Sequence, residues 1–333
     1  MKSLENQDAM FEKQIKKTYT ANIDWNNYDF HEWHRLCRYA QHGNLLQSYA
    51  YGQTMAKLNN QSVRRGIITL NGQRAGVVQV LDAGLMRNMI HGVILDRGPL
   101  WFDGYGGIEH FEAFIETFSK EFPKRFGRRI RFIPSFENTS EAQKCLHEYG
   151  FTPVGSDGYQ TIWLDLRPDL ETLRANFKKK WRNALSQAER SGLEITWSDE
   201  GKNFSWLMSN YERDKRNKKY EGASLKTLVA LSSNFSYEKN MLIGTALLDK
   251  KPIASILLFT HGRGATYQIG YTSDTGRDKR AHHLLLWSAI PELKERAIYD
   301  FDLGGLNEKD AKGIKNFKAG MGGEIHETLG MYR

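Results

Sequence analysis

Cysteine is almost missing from this chain: Cys37 and Cys145 are the two in 333 residues. That excludes a disulfide framework, and the pair cannot hold a metal unaided. No apolar run of roughly 18 or more residues is present, which excludes a membrane-spanning helix and predicts no stable membrane insertion. The stretch from Met1 to Lys17 is polar and has acidic residues early. It lacks the apolar segment of a secretory signal, so a reduced, cytoplasmic setting is expected. No Ser-His-Asp or Cys-His arrangement is evident, so nothing calls for an acyl-enzyme.

What is present suffices for a large core. Hydrophobic residues make up 40% and aromatics 12%, too much for disorder. The length fits one large domain or two of ordinary size. The net charge of +8 suggests an anionic partner without choosing among tRNA, a nucleotide diphosphate and an acidic membrane face. The basic residues cluster at Arg125 to Arg131, Lys178 to Arg182 and Arg213 to Lys219. The last two are interleaved with Trp181, Tyr211 and Tyr220, and phosphate contacts beside stacking surfaces suit nucleic acid or nucleotide binding.

Residues up to about Tyr19 read as a peripheral lead-in. Helices are predicted over 31–41 and from 46 to 58. Strands follow at 63–70 and 74–81, joined by Asn71-Gly72, a strong hairpin signal. A third strand, 89–95, leads into Arg97-Gly98-Pro99. Helix 108–122, strand 129–133, helix 140–149 and strand 159–166 complete a first half. Arg167-Pro168 marks the expected boundary between domains 1–167 and 168–333. In the second half helices at 170–190 and 204–219 precede strands at 241–248, 253–260 and 265–271. Helix 281–297, strand 298–303, helix 310–320 and a strand from Glu324 end the chain. Antiparallel strands followed by helix-strand-helix make the fold a mixed α/β (α+β) one. The order in each half resembles the GNAT acyltransferase fold, implying two such domains in tandem.

The C-terminal run concentrates the chemistry. In the strand ending Asp300-Phe301-Asp302-Leu303, alternation puts the two aspartates on one face. Two carboxylates are an incomplete metal site, and no metal is expected; Asp302 is the candidate proton shuttle. Gly304-Gly305 lets the backbone approach a neighbour closely. Ile314, Phe317 and Met321 share a helical face and are expected to point inward. Lys318, next to Phe317, is placed to meet developing negative charge in a cleft. As residue types alone, the lysine reads first as a solvated side chain and the glycines as an ordinary turn.

Together these residues resemble the C-terminal signature of the Fem (FemABX-type) peptidoglycan-bridge aminoacyltransferases: D-x-G-G at 302–305, G-I-x-x-F-K at 313–318 and G-G at 322–323. Three further segments agree in order. Gln47-Ser48-x-x-Tyr51-Gly52 is similar to the family's Q-S-x-x-W-G, Arg97-Gly98-Pro99 to its R-G-P, and Lys180 to Leu193 to its K-x-R-x-x-I-x-x-A-x-x-x-G-V. The resemblance implies an oxyanion-stabilising role for Lys318 and a diphosphate-gripping role for Arg182. It implies substrate contacts at Tyr267, Phe317 and Arg97. Where a lysine often follows Q-S-x-x-W-G, Met55 stands here, and Lys57, two residues on, is its candidate replacement.

The implied donor is aminoacyl-tRNA as co-substrate, with no bound cofactor. The implied acceptor is an amine of a UDP- or lipid-linked peptidoglycan precursor, which would bring the protein to the inner membrane face. Single-domain GNAT enzymes instead seat the acetyl-CoA pyrophosphate on R/Q-x-x-G-x-G/A at a helix N-terminus. Here Arg280 and His282 fill the small-residue places in the second half, while the glycines at 104–107 of the first half lack the leading arginine or glutamine. Acyl-CoA- or carrier-dependent N-acyl transfer and a non-catalytic RNA- or nucleotide-binding module are the alternatives.

Overall fold

A computed structural model describes residues 19–86, 89–155, 158–306 and 312–333. The lead-in and the start of the helix expected from Asp310 lie outside the described residues. The first half runs β1 (Ala21–Asn26), α1 (Phe30–Cys37), α2 (Tyr49–Asn59), β2 (Ser62–Leu70), β3 (Gln73–Leu85), β4 (Ile90–Gly98), β5 (Leu100–Trp101), α3 (Ile108–Glu121), β6 (Arg128–Pro134), α4 (Ser140–Glu148) and β7 (Pro153–Val154). The chain continues with β8 (Tyr159–Asp165), α5 (Leu170–Asn176), α6 (Lys179–Glu189), β9 (Glu194–Ser198), α7 (Phe204–Lys218), α8 (Leu225–Tyr237), β10 (Met241–Leu248), β11 (Lys251–His261) and β12 (Gly264–Thr272). Then come α9 (Asp274–Asp278), α10 (Ala281–Glu295), β13 (Asp300–Asp302), α11 (Lys312–Lys318), β14 (Glu324–Thr328) and β15 (Met331–Tyr332).

Each half is a mixed sheet built the same way. The meander β2-β3-β4 turns at Asn71-Gly72, and β10-β11-β12 turns at Asp249-Lys250. All four turn residues have positive φ, as a two-residue hairpin loop matching strand twist requires. A helix then crosses over, and the next strand lies parallel to the last of the meander: β6 on β4, and β13 on β12. The first sheet is ordered β1-β2-β3-β4-β6-β15-β7 with β5 on β3, and the second β14-β8-β13-β12-β11-β10-β9.

The sheets exchange strands. β8 leaves the first half to lie between β14 and β13, and the final strand β15 returns to lie between β6 and β7. Each sheet has its own core: Phe111, Phe114 and Phe118 of α3 cover one, and Leu285, Leu286 and Ile290 of α10 the other. A third cluster joins Leu45 and Ala50 to Leu207, Leu228, Leu231 and Phe235 of α7 and α8.

Some expected elements differ. The single helix expected over 170–190 is two. Phe177 goes extended so that its ring meets Trp181 and Trp287, at 4.6 and 5.6 Å between centroids. The next amide, Lys178 N–H, is taken by Gly320 O at 2.8 Å. β1, β9 and α8 were not among the expected elements, although α8 has a Ser224 N-cap and buries Leu228, Leu231 and Phe235 along one side. Ile314, expected inward, is exposed, because the short α11 packs by Phe317, Lys318 and the following turn. Phe301 and Leu303 do enter the core, and both aspartates of β13 are buried as well. Among the described residues no helix is long and apolar enough to cross a membrane.

Two motif segments meet inside the first half. Gln47, buried, donates to Gln79 O at 3.1 Å and Asp96 O at 2.8 Å, and accepts from Gln79 N at 2.7 Å, tying β3 to β4. Ser48 caps α2, and Gly52 lies so close to the Gln79 amide that a Cβ would come within 2.4 Å of it. A Cβ on Gly98 would stand 3.0 Å from the Gln47 amide, so the Q-S-x-x-Y-G and R-G-P segments are fitted to each other. Gln47→Ala should therefore leave buried backbone groups of β3 and β4 unpaired and destabilise the fold by about 2–4 kcal/mol. An unchanged urea midpoint would show that these bonds contribute nothing.

Candidate active site

The site begins where β12 and β13 part. Their parallel pairing covers Gly264 to Thr266 on β12, while β12 runs on to Thr272 held by β11 alone. Opposite that edge the chain leaves β13 through Gly304 and Gly305. Gly304 has φ +76° and sits against Tyr267 O, where a Cβ would come within 2.8 Å. The gap is a cleft of about 780 Å³. Its walls are Tyr267 to Thr272 of β12, Gly304-Gly305, the Gly313 to Lys318 face of α11 and the end of α7 with its following loop.

Lys318 is 7% exposed and lines this cleft. Its ammonium donates to Gly304 O at 3.2 Å and Gly305 O at 3.0 Å, and lies 5.7 Å from the centre of the Tyr267 ring. Phe317 lines the same wall, with His283 at 4.9 Å and Trp181 at 6.2 Å between centroids. Trp181 in turn packs on Gly320, where a Cβ would stand 2.4 Å from the indole. The segment from Lys180 to Leu193 thus buttresses the turn that carries Lys318. Burial holds the Tyr267 hydroxyl far above its ordinary pKa, so it stays protonated.

The cleft continues into a space of about 310 Å³ lined by Tyr51, Met55, Arg97, Tyr159 and Tyr267. Arg97 lies over the Tyr159 ring, its guanidinium carbon 3.3 Å from the centroid. Tyr159 also meets Gly305, where a Cβ would stand 3.2 Å from the ring. Arg97, Tyr159, Gly305 and Lys318 therefore form one contact chain. It joins the R-G-P turn of the first half to the C-terminal signature. Burial, with Asp96 nearby, pushes Tyr51 up to about 12; burial, then the Asp302 charge, raises Tyr159.

Asp302 faces another way. Its Oδ1 accepts from the Thr161 hydroxyl and from Gly304 N at 2.7 Å, and the side chain lines an adjoining cavity of about 430 Å³, beyond Arg97 and Tyr159, with His42, Trp163 and His326. Asp300, its neighbour on the strand face, pairs with Arg167 at 3.3 Å and Arg263 at 3.4 Å. Among the described residues no group of three His, Cys, Asp or Glu side chains is placed to hold a metal. Arg182 donates to Ala175 O and Phe177 O, satisfying the end of α5, and is not among the residues lining the cleft. Lys57 is exposed on α2, while Met55 of the same helix reaches the cleft.

The segment that the resemblance matches to a CoA phosphate loop, Arg277 to His282, forms the end of α9 and the start of α10, with Arg280 capping α10 in the left-handed region. The His282 ring lines the cleft, its Nε2 shielded and without a hydrogen-bond partner among the described residues. A Cβ on Gly270 would meet both this nitrogen and the Tyr267 hydroxyl, which sets the two groups side by side. Burial pulls His282 and His283 down to about 4, so both rings are neutral at neutral pH. Tyr159 and Gln268 are not among the candidates named from the sequence, and His282 is named there only as filling a small-residue place of the CoA loop. Only His282, beside the helix start, carried a local signal.

The comparisons with known proteins follow this geometry. The family model described as Acetyltransferase (GNAT) domain matches residues 173–319. The crystal structure of FemX superposes with a TM-score of 0.73 at 18% identity, covering 93% of this chain and 96% of that one. The chain has the fold of tandem GNAT proteins. A conserved protein of unknown function from Bacteroides thetaiotaomicron VPI-5482 gives a TM-score of 0.58 at 13% identity, covering 93% of this chain and 98% of that one. No curated protein matches the chain.

Acid should loosen this tandem GNAT fold. The pKa of His282 and His283, about 4, and of His261, about 3, are held down chiefly by burial. The unfolded chain takes up protons near 6.5 that the folded one refuses, so stability is lost as pH falls from about 6.5 toward 4. Glu238, raised to about 7 by burial, opposes this: its contribution is full below 4.5 and lost as pH rises through 7. The melting temperature should fall over this range, and more steeply in Glu238→Gln; a flat profile in both proteins would contradict this.

Proposed function

We propose that the protein transfers an aminoacyl group from aminoacyl-tRNA to an amine of a peptidoglycan precursor or a similar acceptor. One observation carries the reading: a lysine ammonium, withdrawn from solvent, lines the cleft between β12 and α11 in the setting of the Fem-like signature. In this reaction the amine attacks the ester carbonyl, a C–N bond forms, and the carbonyl oxygen becomes an oxyanion. Collapse breaks the ester C–O bond, and the departing ribose oxygen receives the proton lost by the amine. Such an ester is already activated, so the enzyme has to align the partners and neutralise the oxyanion.

Lys318 is the oxyanion partner in this proposal. Asp302 acts as a positioning residue: it holds Gly304 N, and Gly304 O holds Lys318. Tyr267, Phe317 and Arg97 shape the walls, Arg182 secures the junction of α5 and α6, and Lys57 is assigned no contact. Exposed Arg213, Arg216, Lys218 and Lys219 near one rim of the cleft suit the phosphates of a tRNA donor. The two units of the proposal are 1–167 and 168–333, tied by the exchange of β8 and β15.

Transfer from acetyl-CoA is the second reading, favoured by the GNAT family match over residues 173–319. The side chains of Arg280 and His282 at the start of α10 weigh against it. Incubation with labelled aminoacyl-tRNA and cell-wall precursors, in parallel with acetyl-CoA and the same acceptors, separates the two. The proposal expects transfer from tRNA alone, and transfer from acetyl-CoA alone would replace it. Lys318→Met, nearly matched in length, should lower kcat by about 10²–10³ while the circular dichroism stays unchanged. Wild-type turnover in that variant would remove Lys318 from the mechanism.

A further inference from the structure

The strongest feature outside the cleft lies on the first half. Leu85, Met86, Met89 and Ile90, near the ends of β3 and β4, are 55–66% exposed, and Phe126 stands fully exposed. Leu85 and Ile90 are directly paired across the hairpin. The Phe126 loop is fastened beside them: Arg125 Nη1 donates to Met89 O at 3.3 Å and His91 N to Gly127 O at 2.9 Å. Gly127 is so close to Met89 O that a Cβ would come within 2.1 Å. The apolar side chains therefore form one protruding edge rather than scattered exposures.

A basic groove of about 1130 Å³ runs from this edge across the sheet, lined by Lys124, Arg125, Arg128, Arg129, Arg131 and Arg333. Among the described residues no acidic side chain lines it; Asp96 reaches Arg131 at 2.5 Å from beside it. The two-residue period of β6 explains the face. Phe132 enters the core while Arg129 and Arg131 stay exposed, beside Gly92 and Ile94 of β4.

We propose that this surface docks the protein on an anionic lipid bilayer, with the Leu85, Met86, Met89, Ile90 and Phe126 edge entering the headgroup boundary and the arginine groove lying against lipid phosphates. Charge complementarity chooses the occupant. Exposed apolar side chains beside a basic face are the composition of an interfacial anchor. A nucleic acid would satisfy the arginines but leave four aliphatic side chains in water, and it calls instead for several aromatic platforms. A second copy would set one basic groove near another. The proposal goes beyond the transfer reaction and does not need it.

Sedimentation of the full chain with vesicles of equal parts phosphatidylglycerol and phosphatidylcholine tests it against vesicles of phosphatidylcholine alone. Partitioning should be at least about tenfold stronger on the anionic vesicles and fall with added salt. Met89→Ser with Phe126→Ser should weaken it by about tenfold, and Arg129→Glu with Arg333→Glu should abolish it. Lys250→Glu, on the turn between β10 and β11, should leave it unchanged. All of these side chains are exposed, so melting temperatures should match wild type. Three results would overturn the proposal: no vesicle binding, equal binding to neutral vesicles, or full binding by the serine double variant. So would polyuridylate binding, or dimer formation, that is lost in these variants while vesicles are ignored. Because the assay involves no group transfer, its failure leaves the proposed reaction standing, and failure of the reaction leaves the docking surface standing.

Discussion

A buried ammonium group is expensive to keep out of water unless its donors are met. At Lys318 they are met by the carbonyl oxygens of Gly304 and Gly305, with the face of Tyr267 beyond. Those carbonyls can converge because Gly304 takes a positive φ close against β12, and because Asp302 accepts from the Gly304 amide inside the sheet. The strand, the double-glycine bend and the short helix are thus one device for presenting a cation to a cleft. Trp181 on Gly320 and the Lys178 amide on Gly320 O brace that device from behind.

The tandem arrangement supplies the other wall. Gln47 fastens β3 to β4 and fits against Gly98, which sets Arg97 over Tyr159 at the head of β8. Since β8 lies in the second sheet, the Arg97 contact couples the two halves next to Lys318. The return of β15 to the first sheet couples them again at the far end of the chain. Segments separated by some 270 positions, Gln47 and Lys318, so belong to one connected structure.

Local pattern made much of this readable. The paired turns at Asn71-Gly72 and Asp249-Lys250, the helix at Ile108 and the alternation around Asp302 all declare themselves over a few residues. The sheet partners of β8 and β15 do not. Pairing between distant strands depends on which edge is left open, and alternation within a strand carries no record of that. The break at Phe177 depends on Trp287 and Gly320, more than 100 positions away. The directions of Lys57 and Arg182 were likewise not legible. A helical lysine two residues from a motif can fall on the solvent side, and the guanidinium of Arg182 goes to the nearest unsatisfied carbonyls at the end of α5. Tyr159 is an unremarked aromatic at a strand head until its contacts with Arg97 and Gly305 are seen.

Oxyanion stabilisation by Lys318 is the claim on which the account rests, and a phosphonate mimic of the tetrahedral intermediate, linked to a 3′-terminal adenosine, tests it directly. Titration calorimetry should show the phosphonate binding at least about 100-fold tighter than the uncharged amide analogue. That preference should vanish in a variant lacking the Lys318 ammonium. Equal affinity for the two analogues, or a preference that survives loss of the ammonium, would contradict the account.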